Sequence, residues 1–348
     1  TTSGKLLKLV FSNGVSLNPK ILFRFLFLLQ NGMWASGFKR RERLKFSKTL
    51  SNSPIPENPV IIIGHWRTGS TLLHQLMSLD KNLVAPSVFQ VSLPDSFLVS
   101  EKYYRPVMSS MMSPTRPMDN VKLGFDEPQE DEYALLKLTT DSPLKRIIFQ
   151  KPDVYFLKQY KDYIPENIEE WKEAMKQFCR KLHFATGKQI ILKNPFHSMR
   201  IGLLKEIFPG VRFIHIHRHP YKVVPSTINM WNIVARQNRL NGKWKEPLVE
   251  EVTEVLNDML IKIRESLVQM PAGTWSEVNF ETFEKDPVAS LKIIYSEIGL
   301  KFTSEFEASV VEYLSGLTGY KKNVFTLKNE DKELIQRIMA DHFNYYSY

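Results

Sequence analysis

The sequence predicts an α/β fold in which a central parallel sheet is flanked by helices on both faces. Three observations support this prediction: short apolar runs recur along the chain, helical segments lie between them, and turn residues separate the two. Strands that alternate with helices form parallel sheets, because each parallel crossover places a helix against a sheet face. The same pattern divides the chain into an N-terminal helical extension over residues 1–58 and one large domain over residues 59–348.

The elements of the large domain follow in order from local patterns. The first strand is Val60–Ile63, an uninterrupted apolar run ending at Gly64, as expected for a strand buried on both faces. A helix over 71–79 follows, with its leucines on one side. The remaining elements are predicted from the same signals: strands over 189–192, 211–217 and 275–280, and helices over 199–208 and 287–298.

Composition narrows the classes of protein. The chain of 348 residues has 47 Lys+Arg and 37 Asp+Glu, a net charge of +10, and its 43% hydrophobic content excludes a disordered chain. The single cysteine, Cys179, excludes a disulfide framework and a cysteine-rich metal site, and it indicates a reducing, cytoplasmic location. The positive charge indicates an anionic partner: a nucleotide, a nucleic acid or a membrane surface.

The N-terminal extension contains an apolar run over 21–29, interrupted by Arg24, and a basic cluster over 39–43. The run is shorter than the roughly 20 residues that span a bilayer, and charges follow it too closely for a secretory signal. Two interpretations stay open. The segment packs as a helix on the body of the protein, or residues 20–45 make a peripheral membrane contact with basic residues near lipid phosphates. Residues 47–59, rich in Ser, Asn and Pro, are interpreted as a connection.

The loop from Gly64 to Thr71 joins the first strand to its helix. Gly64 and Gly69 have the spacing of a P-loop-like turn, in which backbone N–H groups and a helix N-terminus surround an anion. Ser70 stands where the lysine of a nucleoside-triphosphate loop belongs, and Arg67 is the cation of the loop. A forked guanidinium without that lysine favours a phosphate or sulfate oxygen. The prediction is therefore a three-layer, P-loop-like fold with an anion site at this turn.

A second anion-binding pattern follows the strand over 211–217. Arg218 stands at the carboxyl edge of that strand, where open α/β sheets bind ligands, and Pro220 opens a helix. Ser226 lies about two helical turns further on. The arginine and the hydroxyl are spaced to hold one phosphate between them.

The two motifs together resemble those of the sulfotransferase family that uses 3′-phosphoadenosine-5′-phosphosulfate (PAPS). The first motif is GHWRTGSTLL, which begins at Gly64, and the second is RHP, which begins at Arg218 and is followed by Ser226. The resemblance covers most of residues 59–348 and is closest to the bacterial and carbohydrate/tyrosine-protein branch. It implies that Arg218 and Ser226 bind the 3′-phosphate and that Lys193 contacts the sulfuryl group. It also implies two groups of donor-binding residues: His65, Trp66, Arg67, Thr68, Gly69, Ser70 and Thr71 at the 5′-phosphosulfate, and Lys321, Lys322 and Asn323 in a late basic loop over the 3′-phosphate.

The resemblance further implies metal-independent, in-line transfer of the sulfuryl group to an acceptor hydroxyl, with adenosine 3′,5′-bisphosphate (PAP) as the product. By analogy with phosphoryl transfer, catalysis then consists mainly of positioning and charge stabilisation, with Arg67 and Lys193 beside the transferred group. No metal site is predicted. His215 and His217, two residues apart on one strand, are interpreted as hydrogen-bonded residues rather than zinc ligands.

The general base stays open between two residues. Some branches of the family carry a glutamate shortly after the first helix, but residues 83–90 contain no carboxylate. His197 is slightly preferred, because it lies in the region where cytosolic members carry a catalytic histidine. Glu130, in the run Pro-Gln-Glu-Asp-Glu, is the other candidate, although acidic residues after a proline are also typical of a helix start.

The acceptor is predicted from an insertion over residues 81–165, interpreted as a lid or acceptor pocket. Its Met and aromatic side chains favour a hydrophobic alcohol such as a sterol or lipid as acceptor. A carbohydrate or a small phenol is the alternative acceptor. The simpler interpretation is that these side chains only fill the hydrophobic core. The residues concerned are Phe97, Tyr103, Tyr104, Met108, Met111, Met112 and Phe125.

Two other classes of function compete with sulfuryl transfer. A P-loop kinase or NTPase is disfavoured by Ser70 and by the lack of a clear Mg²⁺-binding aspartate after a second strand. A nucleic-acid or membrane-binding module would use the positive charge but would leave the paired phosphate motifs unexplained. No nucleic-acid partner is therefore predicted.

Overall fold

A five-stranded parallel sheet forms the centre of the computed structural model, which describes residues 2–109, 115, 124–150, 157, 164–317 and 325–348. Its strand order is β2-β4-β1-β5-β7, and β3 pairs with β6 in a separate two-stranded sheet. The strands are β1 (Val60–Ile63), β2 (Leu83–Val84), β3 (Phe149–Gln150), β4 (Gln189–Lys193), β5 (Arg212–His217), β6 (Asn241–Gly242) and β7 (Trp275–Asn279).

Sixteen α-helices and one 3-10 helix are present among the described residues. The 3-10 helix is Pro195–Met199. The α-helices are α1 (Ser3–Asn13), α2 (Pro19–Asn52), α3 (Ser70–Met77), α4 (Val88–Ser92), α5 (Phe97–Ser109), α6 (Glu132–Thr139), α7 (Lys145–Ile148), α8 (Ile168–Thr186), α9 (Ile201–Ile207), α10 (Pro220–Asn238), α11 (Val249–Val268), α12 (Phe280–Lys285), α13 (Pro287–Glu297), α14 (Ser304–Ser315), α15 (Asn329–Ile338) and α16 (Ala340–Tyr346).

The first strand shows how the sheet becomes the middle of three layers. Side chains of a strand alternate between the two sheet faces. Ile61 and Ile63 accordingly join the larger hydrophobic core, whereas Val60 and Ile62 join a second core on the opposite face. All four side chains are buried, and helices cover both faces. The predicted three-layer α/β fold is confirmed.

Strand order determines where the functional side chains meet. Because β1 lies between β4 and β5 and all three are parallel, their carboxyl ends reach the same edge of the sheet. Gly64, Asn194 and Arg218 are the residues that follow these three ends. Open α/β sheets bind ligands at this edge.

Most element boundaries agree with the sequence prediction to within two residues, and the structure differs from the prediction in three places. The helix after β4 begins at Ile201, because Asn194 caps a preceding 3-10 turn by accepting a hydrogen bond from the Phe196 amide at 3.0 Å. The helix α2 continues through Asn52, so the connection is shorter than predicted and begins just before Pro54. The short helix α12, directly after β7, was not predicted.

The N-terminal helices α1 and α2 pack against each other, and α2 also packs on α5 and α8. A side chain at Gly32 would place its Cβ 2.7 Å from the Ser3 backbone nitrogen, so this helix crossing requires glycine. Glu42 is buried, accepts a hydrogen bond from the Leu98 amide at 2.9 Å and forms an ion pair with Lys181. No helix among the described residues is long and apolar enough to cross a membrane.

The insertion over residues 81–165 is described in part. Phe97 and Phe125 are buried in the larger core. This agrees with the simpler interpretation of the two residues, that they fill the core and do not line an acceptor pocket. Tyr103 is half exposed, and the Tyr104 hydroxyl donates a hydrogen bond to Asn31 of α2. The predicted pocket residues Met111 and Met112, together with the side chain of Met108, lie outside the described residues.

Candidate functional site

The loop between β1 and α3 has a shape that only glycine permits at two positions. Gly64 has φ +140°, and a Cβ there would lie 2.3 Å from the Ile216 carbonyl oxygen. Gly69 has φ +92° and would place a Cβ 2.0 Å from the Phe280 ring. Arg67 also has a positive φ of 69°, a strained conformation that occurs often at ligand sites. The loop thus fits tightly between its neighbours and ends at the N-terminus of α3.

Hydrogen bonds inside the loop hold this shape. The Thr68 hydroxyl donates to the His65 carbonyl at 2.8 Å, and His65 Nδ1 donates to the Trp66 carbonyl at 2.9 Å. Burial lowers the pKa of His65 to about 4, so the ring is neutral. Ser198 accepts from the Gly64 amide at 2.9 Å and ties the loop to the segment after β4. His65 and Thr68, predicted as donor-binding residues, therefore have contacts that maintain the loop.

The two predicted anion-binding motifs lie in direct contact. Arg67 Nε donates to the Ser226 hydroxyl at 2.9 Å, although the two residues are 159 positions apart in the chain. Arg218 Nη1 donates to the Arg67 carbonyl at 3.4 Å, and its guanidinium lies 4.4 Å from the Phe280 ring centroid. Glu281 lies 3.7 Å from Arg218 Nε. Two arginines and a serine hydroxyl thus converge beside the N-terminus of α3, an arrangement that suits phosphate groups.

The predicted catalytic residues lie beside this arrangement, at the end of β4. Lys193 Nζ lies 2.5 Å from Glu130 Oε1; the lysine side chain is 3% exposed and the glutamate side chain is 16% exposed. His197 Nε2 donates to Asp131 Oδ2 at 2.7 Å, and both side chains are completely buried. The structure therefore brings both candidate bases to one region, but solvent reaches Glu130 and not His197.

A buried ion pair supports these residues from behind. Arg200 contacts Glu132 through two hydrogen bonds of 2.8 and 3.2 Å, and Glu132 also accepts from Asn194 at 2.9 Å and Ser142 at 2.6 Å. Burial alone would raise the pKa of Glu132, but Arg200 and these hydrogen bonds outweigh it and hold the pKa below its usual range. The pair fixes the segment after β4 against the acidic run. Sequence reasoning did not identify Arg200, because no local motif marks it.

A cavity of about 470 Å³ opens next to the loop and the end of β4. Trp66 belongs to the anion-binding loop and Phe196 to the segment that follows Lys193, so the cavity borders both. Glu254, Asn257 and Asp258 supply polar groups from α11. The rest of the lining is apolar: Trp66, Leu157, Phe196, Met199, Val255, Met259 and Ile338. Its volume and apolar character are typical of a small-molecule pocket.

The C-terminal helix contributes aromatic residues that the sequence did not indicate. His217 Nδ1 lies 2.6 Å from the Tyr348 hydroxyl, and Tyr346 stacks on the His217 ring at 3.8 Å. Burial lowers the pKa of His217 to about 3. His215 Nδ1 lies 3.0 Å from Glu277 Oε2. Both histidines of β5 thus have hydrogen-bonding partners.

Two further predictions concern the late basic loop and metal ligands. Lys321, Lys322 and Asn323, predicted to close over the 3′-phosphate, lie outside the described residues. Within the described part of the chain, no three His, Cys, Asp or Glu side chains are grouped as a metal site would require.

Comparison with known proteins gives three kinds of similarity. A family model described as "Sulfotransferase family" matches residues 59–304. The sequence is 30% identical over 337 residues to omega-hydroxy-beta-dihydromenaquinone-9 sulfotransferase Stf3 of Mycobacterium tuberculosis, covering 94% of this chain and 84% of that protein. Human carbohydrate sulfotransferase 5 is 26% identical over 164 residues, covering 41% of this chain and 40% of that protein.

Solved structures share the same fold over nearly the whole chain. The crystal structure of sulfotransferase STF9 from Mycobacterium avium matches with a TM-score of 0.72 at 17% identity, covering 99% of this chain and 96% of that one. Sulfotransferase STF1 from Mycobacterium tuberculosis H37Rv matches with a TM-score of 0.60 at 14% identity, covering 97% and 90%. These matches extend through the N-terminal helices.

Proposed function

The chain belongs to the sulfotransferase family, and from this premise we propose which residues carry out the transfer and which acceptor receives the sulfuryl group. The protein is a PAPS-dependent sulfotransferase, as the two motifs predicted, and its donor leaves as PAP. The observation that carries the proposal is the contact between Arg67 and Ser226, which joins the two motifs into one site at the sheet edge.

We assign the 5′-phosphosulfate to the loop Gly64–Thr71 and the 3′-phosphate to Arg218 and Ser226. The strained, glycine-dependent turn supports the first assignment, because backbone amides at a helix N-terminus hold an anion without needing a lysine. The position of Arg218 at the carboxyl end of β5, with its guanidinium against the Phe280 ring, supports the second.

We assign the role of general base to Glu130 rather than to His197. A base must reach the acceptor hydroxyl, and Glu130 is the partly exposed member of the pair. In the step, the acceptor oxygen forms a bond to sulfur while the bond from sulfur to the bridging phosphate oxygen breaks. The hydroxyl proton passes to the Glu130 carboxylate, and the electron pair remains on the phosphate of PAP.

Lys193 and Arg67 then stabilise the negative charge that develops on the transferred group and on the leaving phosphate. Lys193 also orients Glu130 through their 2.5 Å contact. His197 is a positioning residue: through Asp131 it fixes the backbone next to Glu130. The donor and acceptor groups are thereby held in line, which is the main source of rate in such a transfer.

The acceptor that the cavity favours is a hydrophobic alcohol such as a sterol or lipid. Its lining includes Trp66 of the anion-binding loop and Phe196, three residues after Lys193 in the chain, which supports an acceptor site next to the predicted catalytic residues. The name of the mycobacterial relative gives it an ω-hydroxylated menaquinone as substrate, which is an alcohol of this class. A carbohydrate or a small phenol fits this lining less well, since carbohydrates need a more polar wall.

Alcohols of this class reside in membranes. We therefore also propose that the protein acts at the cytoplasmic side of a membrane and contacts the lipid surface through residues 20–45. Exposed apolar side chains in α2, among them Phe23 and Trp34, support this contact.

Ligand-dependent thermal stabilisation tests the donor site. PAP without magnesium is expected to raise the melting temperature, because it binds the folded state alone. ATP with magnesium is expected to raise it much less, since the loop lacks the lysine that contacts nucleoside triphosphates. Protection by ATP–Mg²⁺ but not by PAP would overturn the donor assignment in favour of a kinase or NTPase.

Transfer from a labelled donor tests the acceptor class. Lipid alcohols and sterols are expected to be sulfated in preference to phenols and sugars. The variant Val255→Trp fills part of the cavity and should raise KM for a long-chain alcohol while the affinity for PAP stays unchanged. An unchanged KM, or sulfation of sugars alone, would contradict this assignment of the cavity.

A further inference from the structure

The outward face of α2 carries one continuous stripe of exposed side chains along the helix. Phe23, Phe27 and Trp34 recur at spacings of four and seven residues, and Arg41 and Lys45 continue the stripe at the same spacings. Residues spaced in this way lie on one side of a helix. All of them are exposed to solvent, whereas Ile21, Gly32, Ala35 and Glu42 form the buried side.

The stripe changes character along its length. Its first half is apolar: Leu22, Phe23, Leu26, Phe27, Met33 and Trp34 are exposed. Its second half is mainly basic, with exposed Arg40, Arg41, Lys45 and Lys48 and one exposed apolar side chain, Leu44. At 1.5 Å per residue, the apolar half is about 18 Å long and the basic half about 12 Å. A soluble helix normally separates apolar from charged residues around its circumference, not along one face.

The end of α1 adds a further exposed ring to the apolar half. Phe11, in the last turn of α1, is 87% exposed, and Phe23 and Trp34 of α2 are 74% and 59% exposed. Monomeric proteins rarely expose large contiguous apolar surface without a partner.

The charge of the same helix indicates which partner is complementary. Glu42 is the single acidic residue of α2, and it is buried in an ion pair with Lys181. The exposed face therefore carries positive charge only. An anionic lipid bilayer offers both matching features, an apolar interior and a layer of phosphates.

We propose that the exposed face of α2 lies obliquely on an anionic bilayer: the exposed apolar side chains from Leu22 to Trp34 enter the acyl region, and the basic residues from Arg40 to Lys48 bind the lipid phosphates. This inference deepens the membrane contact proposed above and rests on it, but it is independent of the sulfuryl chemistry. It assigns a different function to each half of one helix face, and each half can be removed separately.

Vesicle sedimentation tests the two halves. The vesicles contain equal parts of phosphatidylcholine and phosphatidylglycerol. We expect wild-type protein to bind them, and Phe23→Ser/Trp34→Ser to bind about a hundredfold more weakly, since each ring loses at least about 1.5 kcal/mol of apolar burial. Arg41→Gln/Lys45→Gln should bind about thirtyfold more weakly, at about 1 kcal/mol per charge. Vesicles of phosphatidylcholine alone should reproduce the weaker binding of the charge variant.

Matched controls come from exposed residues far from α2. Val268→Ser/Ile293→Ser removes exposed apolar side chains, and Lys205→Gln/Lys301→Gln removes exposed charges. Both should bind vesicles as wild type does. Sulfation of a soluble alcohol by the α2 variants should match wild type, which separates failure of the membrane proposal from failure of the proposed chemistry.

Bromine-labelled lipids provide a direct readout of insertion, because bromine quenches tryptophan fluorescence at short range. Quenching is expected in wild type and should largely disappear in Trp34→Phe. Three outcomes would overturn the proposal. The first is that wild-type protein does not bind anionic vesicles, and the second is that Phe23→Ser/Trp34→Ser binds them as tightly as wild type does. The third is a dimer in solution that this variant abolishes, because the partner of the exposed face would then be a second copy of the chain.

Discussion

The carboxyl edge of the sheet has two halves, one after β4 and one after β1 and β5, and their positively charged side chains have different partners. After β4, each cation contacts a carboxylate: Lys193 meets Glu130, and Arg200 meets Glu132. After β1 and β5, Arg67 contacts the Ser226 hydroxyl, and Arg218 contacts a carbonyl and an aromatic ring, with Glu281 further away at 3.7 Å. The first half balances charge inside the protein, and we propose that the second binds the anionic donor.

Burial follows the same division. Arg200 and Glu132 have no exposed side-chain surface, whereas Arg218 and Glu281 are partly open to solvent. A buried charge needs a close partner, because desolvation is costly. A charge that binds a ligand must stay accessible. Glu130, whose side chain is partly exposed, is intermediate between the two halves, which is consistent with the proton-acceptor role that we propose for it.

The largest effect is expected at Glu130. Glu130→Gln should lower kcat by about 10²- to 10⁴-fold, because the acceptor proton loses its carboxylate. The affinity for PAP should stay unchanged. The matched variant is His197→Asn, which should reduce kcat much less and should lower the melting temperature instead. Initial rates at saturating donor measure both, and near-normal turnover by Glu130→Gln would refute its role.

The second effect concerns the buried half. Glu132→Leu should lower the free energy of unfolding by about 3–5 kcal/mol, because it leaves the Arg200 guanidinium buried without its partner. Glu132→Gln removes the charge but keeps a hydrogen-bonding side chain, so its loss should be smaller. Denaturant titration measures both. Equal stability of wild type and the leucine variant would show that the two halves do not differ in this way.

A third effect concerns the exposed half. Arg218→Ala should weaken PAP binding by about 10- to 150-fold, which corresponds to about 1.5–3 kcal/mol for lost hydrogen bonds to a charged group. Its melting temperature without ligand should stay close to that of wild type, since the side chain is partly exposed. Calorimetric titration with PAP measures the affinity. A large loss of stability with unchanged affinity would place Arg218 with the buried half.

A fourth effect is a pH dependence that both halves share. Burial, together with the charge of Lys193, lowers the pKa of His74 to about 3, and burial lowers the pKa of His217 to about 3. The unfolded chain protonates these rings below about pH 6.5 while the folded chain does not. The contribution of these neutral rings to the free energy of unfolding is therefore fully present above about pH 6.5. As the pH falls from there toward 3, the free energy of unfolding decreases by about 1.4 kcal/mol per pH unit for each ring.

Thermal melts between pH 7.5 and pH 4.5 measure this slope. His217→Phe should flatten it by about one histidine equivalent, because the ring that resists protonation is gone. A slope that is unchanged in this variant would contradict the depressed pKa of His217.

The sequence was sufficient for the parts of the protein that local patterns encode. The uninterrupted apolar run of β1 predicted a buried strand, and the spacings of Gly64 with Gly69 and of Arg218 with Ser226 predicted two anion-binding motifs. The resemblance of these two motifs to a known family then identified the sulfotransferases. Glycine at Gly64 and Gly69 is a local signal for a positive φ, and the structure has one at each. Such features depend on residues that are neighbours in the chain.

Tertiary structure alone decided which charges pair and which stay accessible. Glu130 and Lys193 are 63 positions apart, and Asp131 and His197 are 66, so no local pattern relates them. The sequence left the general base open between His197, slightly preferred, and Glu130, and spacing gives no information about the burial of either. Strand order brings β4 beside β1 and packs the acidic run against it, and the resulting desolvation, which depends on every neighbouring side chain, distinguishes the buried His197 from the partly exposed Glu130.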